Sequence, residues 1–167
     1  MDYGNVPQNR ERIYIVGFKD KKKCDAFEFP KPIKRTVNVT DILEKGEIPE
    51  KYYYEGKPLY DRLKDEITEQ GEVYQWRRQY VRRNKSGVCP TLTANMGTGG
   101  HNVPIIYDGK GIRKLTPREC FSVQGFPKDY KLPTNISDGA LYKQAGNSVS
   151  VPVIKRIAEN IKKALEA

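Results

Sequence analysis

The sequence predicts an α/β fold in two unequal parts: one strand and a terminal helix from a layered sheet, and between them a small, irregular, mainly β lobe with short helices. Three observations lead there. Ile13-Tyr14-Ile15-Val16 is a short β-favouring run that ends at Gly17. The last residues carry Ile154, Ile157, Ala158, Ile161 and Leu165 on one stripe, opposite lysines and glutamates. The stretch between alternates short apolar runs with glycine and proline breaks.

Taken in order, residues 12–18 read as a strand buried on both faces, as in a parallel sheet. Residues 19–34 hold Lys21-Lys22-Lys23 and Pro30-Lys31-Pro32, so they read as a linker leaving that sheet, with the second lobe beginning near Arg35. Thr40 or Asp41 is expected to cap a short helix through Leu43, and residues 58–68 to form another with Leu59, Leu63 and Ile67 on one face. Residues 73–83 turn strand-like, with Tyr74, Trp76 and Tyr80 on one side of a pleat. Gly97, Thr98, Gly99 and Gly100 form a loop, residues 103–107 a further strand, and Asp108-Gly109 a turn. Thr116-Pro117-Arg118-Glu119 has the capping-box pattern of a helix start, and that helix should end near Gly125. The final helix begins at about Val151-Pro152.

A chain of 167 residues suffices for one domain or two small lobes, and it holds no apolar run long enough to cross a membrane. No leader peptide is expected, and three cysteines at irregular spacing form neither a disulfide framework nor a metal-ligand pattern. A reducing cytoplasm is the expected setting. Net charge is +9 with a pI of about 9.4, and Arg77, Arg78, Arg82 and Arg83 cluster. This points to a polyanion, with nucleic acid the natural candidate.

Three stations carry the chemistry. In Gln8-x-Arg10-x-Arg12, strand alternation projects three long polar groups to one side, and guanidinium presents fixed donors to phosphate or a base carbonyl. Taken alone, they suit a solvated strand edge better. Gly146-Asn147-Ser148-Val149 precedes the last helix: small residues allow close main-chain approach to a ligand and Asn147 offers donor and acceptor, although without context a plain helix-to-helix turn suits these residues better. Thr91-Leu92-Thr93-Ala94-Asn95-Met96-Gly97-Thr98-Gly99-Gly100 could bring backbone close to DNA, with threonine and asparagine on base edges or phosphates, or be an ordinary flexible loop. Tyr74, Trp76 and Tyr80 could stack on bases but suit a small core better. Arg113 and Glu119 are candidates to pair, and His101 has no assignable role.

The Gln-x-Arg-x-Arg block, Arg113-Lys114-Leu115-Thr116-Pro117-Arg118-Glu119 and Tyr142-Lys143-Gln144-Ala145-Gly146-Asn147-Ser148-Val149, in this order, resemble the last three sequence blocks of the C5-cytosine DNA methyltransferase family. That family's Phe-x-Gly-x-Gly cofactor turn, Pro-Cys nucleophile loop and Glu-Asn-Val segment have no match here; Cys89-Pro90 is the reverse of the catalytic pair. The resemblance implies the remnant strand and terminal helix of a Rossmann-like methyltransferase domain, with the end of the catalytic domain and a linker in residues 1–34, a target-recognition lobe in 35–126 and a C-terminal segment returning to the catalytic domain in 127–167. It implies Arg10 and Arg12 at the flipped cytosine, and Asn147, Ser148 and Val149 as the last wall of an S-adenosylmethionine pocket. It implies DNA contacts from Thr91, Leu92, Thr93, Asn95, Gly97, Gly99 and Gly100, and the charge of Arg77, Arg78, Arg82 and Arg83 makes these four the candidates for the DNA backbone. No metal is expected. Partners would be double-stranded DNA and an N-terminal catalytic subunit or a second copy, in a bacterial or phage restriction-modification setting. On this reading the chain alone is inactive, and the competing reading is a non-catalytic DNA-binding module derived from such an enzyme.

Overall fold

The computed structural model describes residues 2–84, 87–99 and 102–167. Its centre is a four-stranded antiparallel sheet built from β1 (Tyr74–Trp76), β2 (Val81–Arg83), β3 (Ile105–Tyr107) and β4 (Ile112–Lys114), in the order β2-β1-β3-β4. Six α-helices are described: α1 (Lys21–Asp25), α2 (Val39–Ile42), α3 (Tyr60–Leu63), α4 (Pro117–Val123), α5 (Asp138–Asn147) and α6 (Val151–Glu166). One core gathers Val39, Leu63, Ile67, Tyr74 and Ile105 with Phe121 of α4 and Leu141, Tyr142 and Ala145 of α5, so both helices pack as part of the mainly β lobe.

Residues 73–83 are a hairpin instead of one strand. Tyr74 pairs with Arg83 and Trp76 with Val81, and the Arg77 N–H closes the turn on the Tyr80 carbonyl at 2.9 Å. The turn places Arg78 at φ +71°, a left-handed conformation that residues other than glycine seldom adopt, and no Gly or Asn-Gly pair announced it. Tyr74 is therefore in the core while Tyr80 is 60% exposed on the turn.

The capped segment forms as expected. Thr116 Oγ1 accepts from the Glu119 N–H at 3.1 Å and Glu119 Oε2 accepts from the Thr116 N–H at 2.8 Å, opening α4. The helix stops at Gly125, whose φ is +81° and whose missing side chain makes room for Pro152 Cδ, 2.5 Å from where a Cβ would stand. Helix α2 begins earlier than expected: Asn38 is its N-cap, and its N–H donates to Asp41 Oδ2 at 2.7 Å. Helix α3 is only one turn, but Leu63 and Ile67 are both buried. Helix α5 was not anticipated. Its apolar face is only Leu141, Tyr142 and Ala145, interrupted by Gly139 and Gly146, and Ser137 caps it by accepting from the Ala140 N–H.

Two expectations about the first residues need correction. Residues 12–18 pair with no described strand, and Ile13 and Ile15 are 91% and 92% exposed, so burial on both faces is not achieved by this chain's own described residues. Residues 19–34 are no free linker. Asp20 caps α1, Arg156 of α6 donates to the Tyr3 and Lys31 carbonyls at 2.7 and 2.8 Å, and Asn160 donates to that of Glu28 at 2.9 Å. On α6, the stripe is only partly covered: Ile157 and Ala164 are buried, whereas Ile154, Ala158 and Leu165 are exposed.

Candidate functional site

Main-chain pairing first brings the distant stations together. The Cys89 N–H donates to the Pro7 carbonyl at 2.7 Å and the Asn9 N–H to the Cys89 carbonyl at 2.9 Å, a short parallel bridge at Gln8. Thr91 Oγ1 adds a bond to the Asn9 carbonyl at 2.7 Å. This register delivers Arg10 to a junction: Nη1 donates to the Leu92 carbonyl at 3.0 Å, and Nη2 to the Gly146 and Ser148 carbonyls at 3.0 and 2.6 Å. One guanidinium thus ties the first station, the threonine-leucine turn and the last station. Burial lowers the Arg10 pKa, helped by repulsion from Arg12, but guanidinium remains charged at any ordinary pH.

Gly146 completes the junction. A Cβ there would stand 2.3 Å from the Thr93 carbonyl carbon and 2.5 Å from the Ala94 nitrogen, so the glycine admits the main chain of the loop. The close approach expected of this residue is therefore to residues 93–94. Gly97 makes a similar approach, since a Cβ there would stand 3.0 Å from Tyr142 Cβ. Behind them, fully buried Gln124 donates to the Ala145 carbonyl at 2.9 Å and accepts the Val151 N–H on its own carbonyl at 2.9 Å, joining α4, α5 and α6. Gln124 was missed in the sequence; the only signal was its place just before the glycine that ends the capped helix.

Arg12 is exposed and lines a cleft of about 510 Å³ with Gln8, Arg10, Tyr14, Phe29 and Ser150. Inside it, both polar atoms of the buried Gln8 carboxamide and the Ser150 hydroxyl lack a hydrogen-bond partner, as does Arg10 Nε. Asn147 and Val149 are exposed at the C-terminal end of α5, and Ser148 is half-buried between them. The lining thus offers unspent donors and acceptors at Gln8, Arg10 and Ser150, while the Asn147 carboxamide and Val149 stand exposed in the turn before α6 and are not part of the lining.

The expected loop contacts separate by burial. Leu92 is fully buried and its side chain belongs to the core, so that side chain is not offered to a ligand. Thr91 is spent on Asn9 and Thr93 donates to Asn95 Oδ1 at 2.8 Å; Asn95, Thr98 and Gly99 are exposed. Gly100 and His101 lie outside the described residues. Arg78 and Arg82 are exposed and Arg77 is half-buried, while Arg83 is committed to Glu69 at 2.8 Å and Glu72 at 3.1 Å. Cys89 and Cys120 are fully buried and burial pushes both thiols up, the opposite of an activated nucleophile. Arg113, 1% exposed, is held by both oxygens of Glu119 and by Asp108, as the sequence suggested for the Glu119 partner. Among the described residues no group of acidic, histidine or cysteine side chains could hold a metal ion, and no helix is long and apolar enough to cross a membrane.

A family profile described as C-5 cytosine-specific DNA methylase matches residues 1–163. The Type II methyltransferase M.Bsp6I of Bacillus sp. (strain RFL6) is 56% identical over 167 residues, 98% of this chain and 53% of that protein. M.DsaV of Dactylococcopsis salina, also a Type II methyltransferase, is 40% identical over 94% of this chain and 44% of its own length. Among solved structures, the Entamoeba histolytica methyltransferase EhMeth superposes with a TM-score of 0.67 at 17% identity, covering 98% of this chain and 51% of that one. The chain spans about half the length of the curated relatives it matches.

Proposed function

The chain belongs to the C-5 cytosine-specific DNA methylase family, and on that footing we propose that it is the target-recognition and C-terminal part of a DNA (cytosine-5-)-methyltransferase. The observation that carries this reading is the Arg10 junction, which brings three sequence stations far apart in the chain to one place beside the cleft. A loop that reads DNA, a residue that faces the extruded base and a segment that faces the methyl donor must share one rigid frame for methyl transfer to occur.

In this reading Arg12 reaches from the cleft toward the flipped cytosine, where its charge stabilises negative charge developing on the ring. Asn95, Thr98 and Gly99 approach base edges or backbone, and Arg78 and Arg82 neutralise phosphates. Arg10 positions these groups and does not itself touch the base. S-adenosylmethionine, when bound, supplies the methyl group. The exposed Asn147 carboxamide, Val149 and the unpartnered Ser150 hydroxyl fit one wall of its site. The nucleophile comes from elsewhere, because both buried thiols are suppressed and Cys24 lies on α1, which packs on α6. The chain alone is therefore inactive and works in the bacterial cytoplasm with a partner that carries the missing blocks.

Transfer of labelled methyl to duplex DNA tests this. The chain mixed with the portion of the Bacillus relative that it does not match should methylate cytosine, and neither piece alone should. Within the pair, Arg12→Ala should lower the rate more than DNA affinity, and Asn147→Ala should raise the S-adenosylmethionine requirement. Methylation by this chain alone would overturn the reading, and DNA retention without transfer in the mixture would favour a non-catalytic DNA-binding module.

A further inference from the structure

Resting on the reading just given, we propose that Lys51, Lys57 and Lys114 form a phosphate-binding site on the recognition lobe. It takes the backbone of the duplex next to the bases that the loop of residues 95–99 approaches.

The three ammonium groups gather round buried aromatic rings. Lys114, at the end of β4, is half-buried, with Nζ 5.1 Å from the centre of the Tyr142 ring and 5.9 Å from that of Tyr52. Lys51 Nζ stands 5.0 Å from the centre of the same Tyr52 ring, and Lys57 Nζ donates to the Lys51 carbonyl at 2.7 Å. Among the described residues one carboxylate pairs with this group: Asp138 accepts from Lys51 Nζ at 2.7 Å and from the Tyr52 hydroxyl at 2.8 Å. Three positive charges thus share one negative charge, and Lys114 has no ion pair of its own among the described residues. Its neighbour in β4 is the contrast, since Arg113 is held by the carboxylates of both Asp108 and Glu119.

Such a grouping costs free energy in the free chain. Burial lowers the Lys114 pKa, and repulsion from Lys57 adds to this against the pull of Asp138. Lysines on a surface ordinarily turn into water and away from one another. Here the bonds to Asp138 and to the Lys51 carbonyl, with the ring faces, keep them together. An anion seated among them removes the repulsion and meets in Lys114 an ammonium that has already lost part of its water. Position names the anion. Gly97 of the loop lies against the same Tyr142, and a Cβ on it would stand 3.2 Å from the Gly139 Cα, the residue after Asp138. A duplex that meets this loop brings one charge per about 1.7 Å of its axis past the lysines. β4 is at the opposite edge of the sheet from β2, so this contact is additional to that of Arg82.

The experiment uses the full chain, duplexes of several sequences and, as the competing source of phosphate, inorganic phosphate alone. Lysine acetylation read by mass spectrometry reports occupancy, and filter retention at several salt concentrations reports affinity. With duplex at about ten times its Kd, acetylation of Lys114 should slow by about tenfold. Lys57→Gln combined with Lys114→Met, which keeps an apolar stem on the rings, should weaken binding to every duplex by about tenfold or more at low salt. It should also lower the slope of log affinity against log salt by about 2. The melting midpoint of this variant should stay or rise, because repulsion is relieved. A fall in the midpoint with retention unchanged would make Lys114 a prop for the tyrosine rings and overturn the site. Lys131→Gln combined with Lys155→Gln removes the same charge from exposed positions elsewhere and should change the slope little. An equal loss there would reduce the effect to net charge and also overturn the site. Retention of duplex with Lys114 acetylated at its free rate overturns the site and leaves the proposed function standing. Protection by inorganic phosphate but not by duplex overturns the duplex as occupant. Protection of Lys114 by duplex in a mixture that transfers no methyl group overturns the proposed function and leaves the site standing.

Discussion

Arg113 and Glu119 meet in a two-point ion pair, with Nη1 and Nη2 donating to the two carboxylate oxygens at 2.8 and 2.9 Å and both side chains out of contact with water. The same carboxylate accepts the N–H groups of Thr116 and Glu44, so Glu119 caps α4, pairs with β4 and anchors the chain after α2. Glu119→Ala should destabilise the protein by about 3–5 kcal/mol, because a buried guanidinium and two N–H groups lose their partner. Denaturant titration monitored by circular dichroism measures this, and a loss below about 1 kcal/mol would show that water replaces the carboxylate.

Acid should weaken the lobe through Asp108. Burial acts to raise its pKa, but hydrogen bonds from Arg113, the Lys110 and Gly111 N–H groups and the Tyr53 hydroxyl outweigh it and hold the carboxyl below the usual aspartate value. A folded-state pKa below the unfolded one means that the stabilisation is complete above the unfolded value and is lost as pH falls through the folded value. The thermal midpoint should therefore fall on acidification below about pH 4, and Asp108→Asn should flatten that decline. Melting curves between about pH 2 and pH 6 decide it.

Arg10→Lys should loosen the junction without unfolding the lobe. A single ammonium lacks the planar fork that reaches Leu92, Gly146 and Ser148 together, and losing these bonds should cost about 1.5–3 kcal/mol. Hydrogen exchange should quicken in residues 92–99 and 146–149 while the β1–β2 hairpin is unchanged.

Gly146→Ala places a methyl group against the Thr93–Ala94 main chain, which cannot rotate away as a side chain would. A loss of about 1–3 kcal/mol is expected, and near-neutral behaviour in thermal denaturation would mean that the loop can retreat.

The paired arginines of β2 should differ in DNA binding. Arg82→Glu should weaken binding to every duplex alike and lower the slope of log affinity against log salt by about 1, the signature of a phosphate contact. Arg83→Glu should act mainly on the hairpin, since Arg83 already faces Glu69 and Glu72. Filter retention at several salt concentrations separates the two, and no retention at low salt would remove the duplex from consideration.

What could be read from the sequence was local or already patterned. The Thr116 capping box and Pro117 are decided within one turn of chain, so α4 and its end at Gly125 were legible. The β1–β2 hairpin was not, because its turn uses Arg78 in a glycine-like conformation. Helix α5 was hidden by two glycines and a narrow apolar face. At the site, resemblance gathered the three stations, but no sequence pattern announces that Arg10 bonds backbone carbonyls, since an acceptor on the main chain leaves no mark on side-chain identity. Burial of Ile13 and Ile15 was inferred from a β-favouring run, but such a run does not say what lies beside it, and the described residues leave both side chains exposed.

The contact between Gly146 and residues 93–94 bears on how recognition sequence can be exchanged between relatives. The loop after Thr93 is wedged against the last turn of α5, so a transplanted loop keeps its course only if the recipient has a glycine at that turn and matching backbone at residues 93–94. A chimaera cut between Thr93 and Gly146 severs a matched pair, whereas one that moves both together carries its own seating. Swaps of target specificity should succeed or fail on that boundary before any base is read.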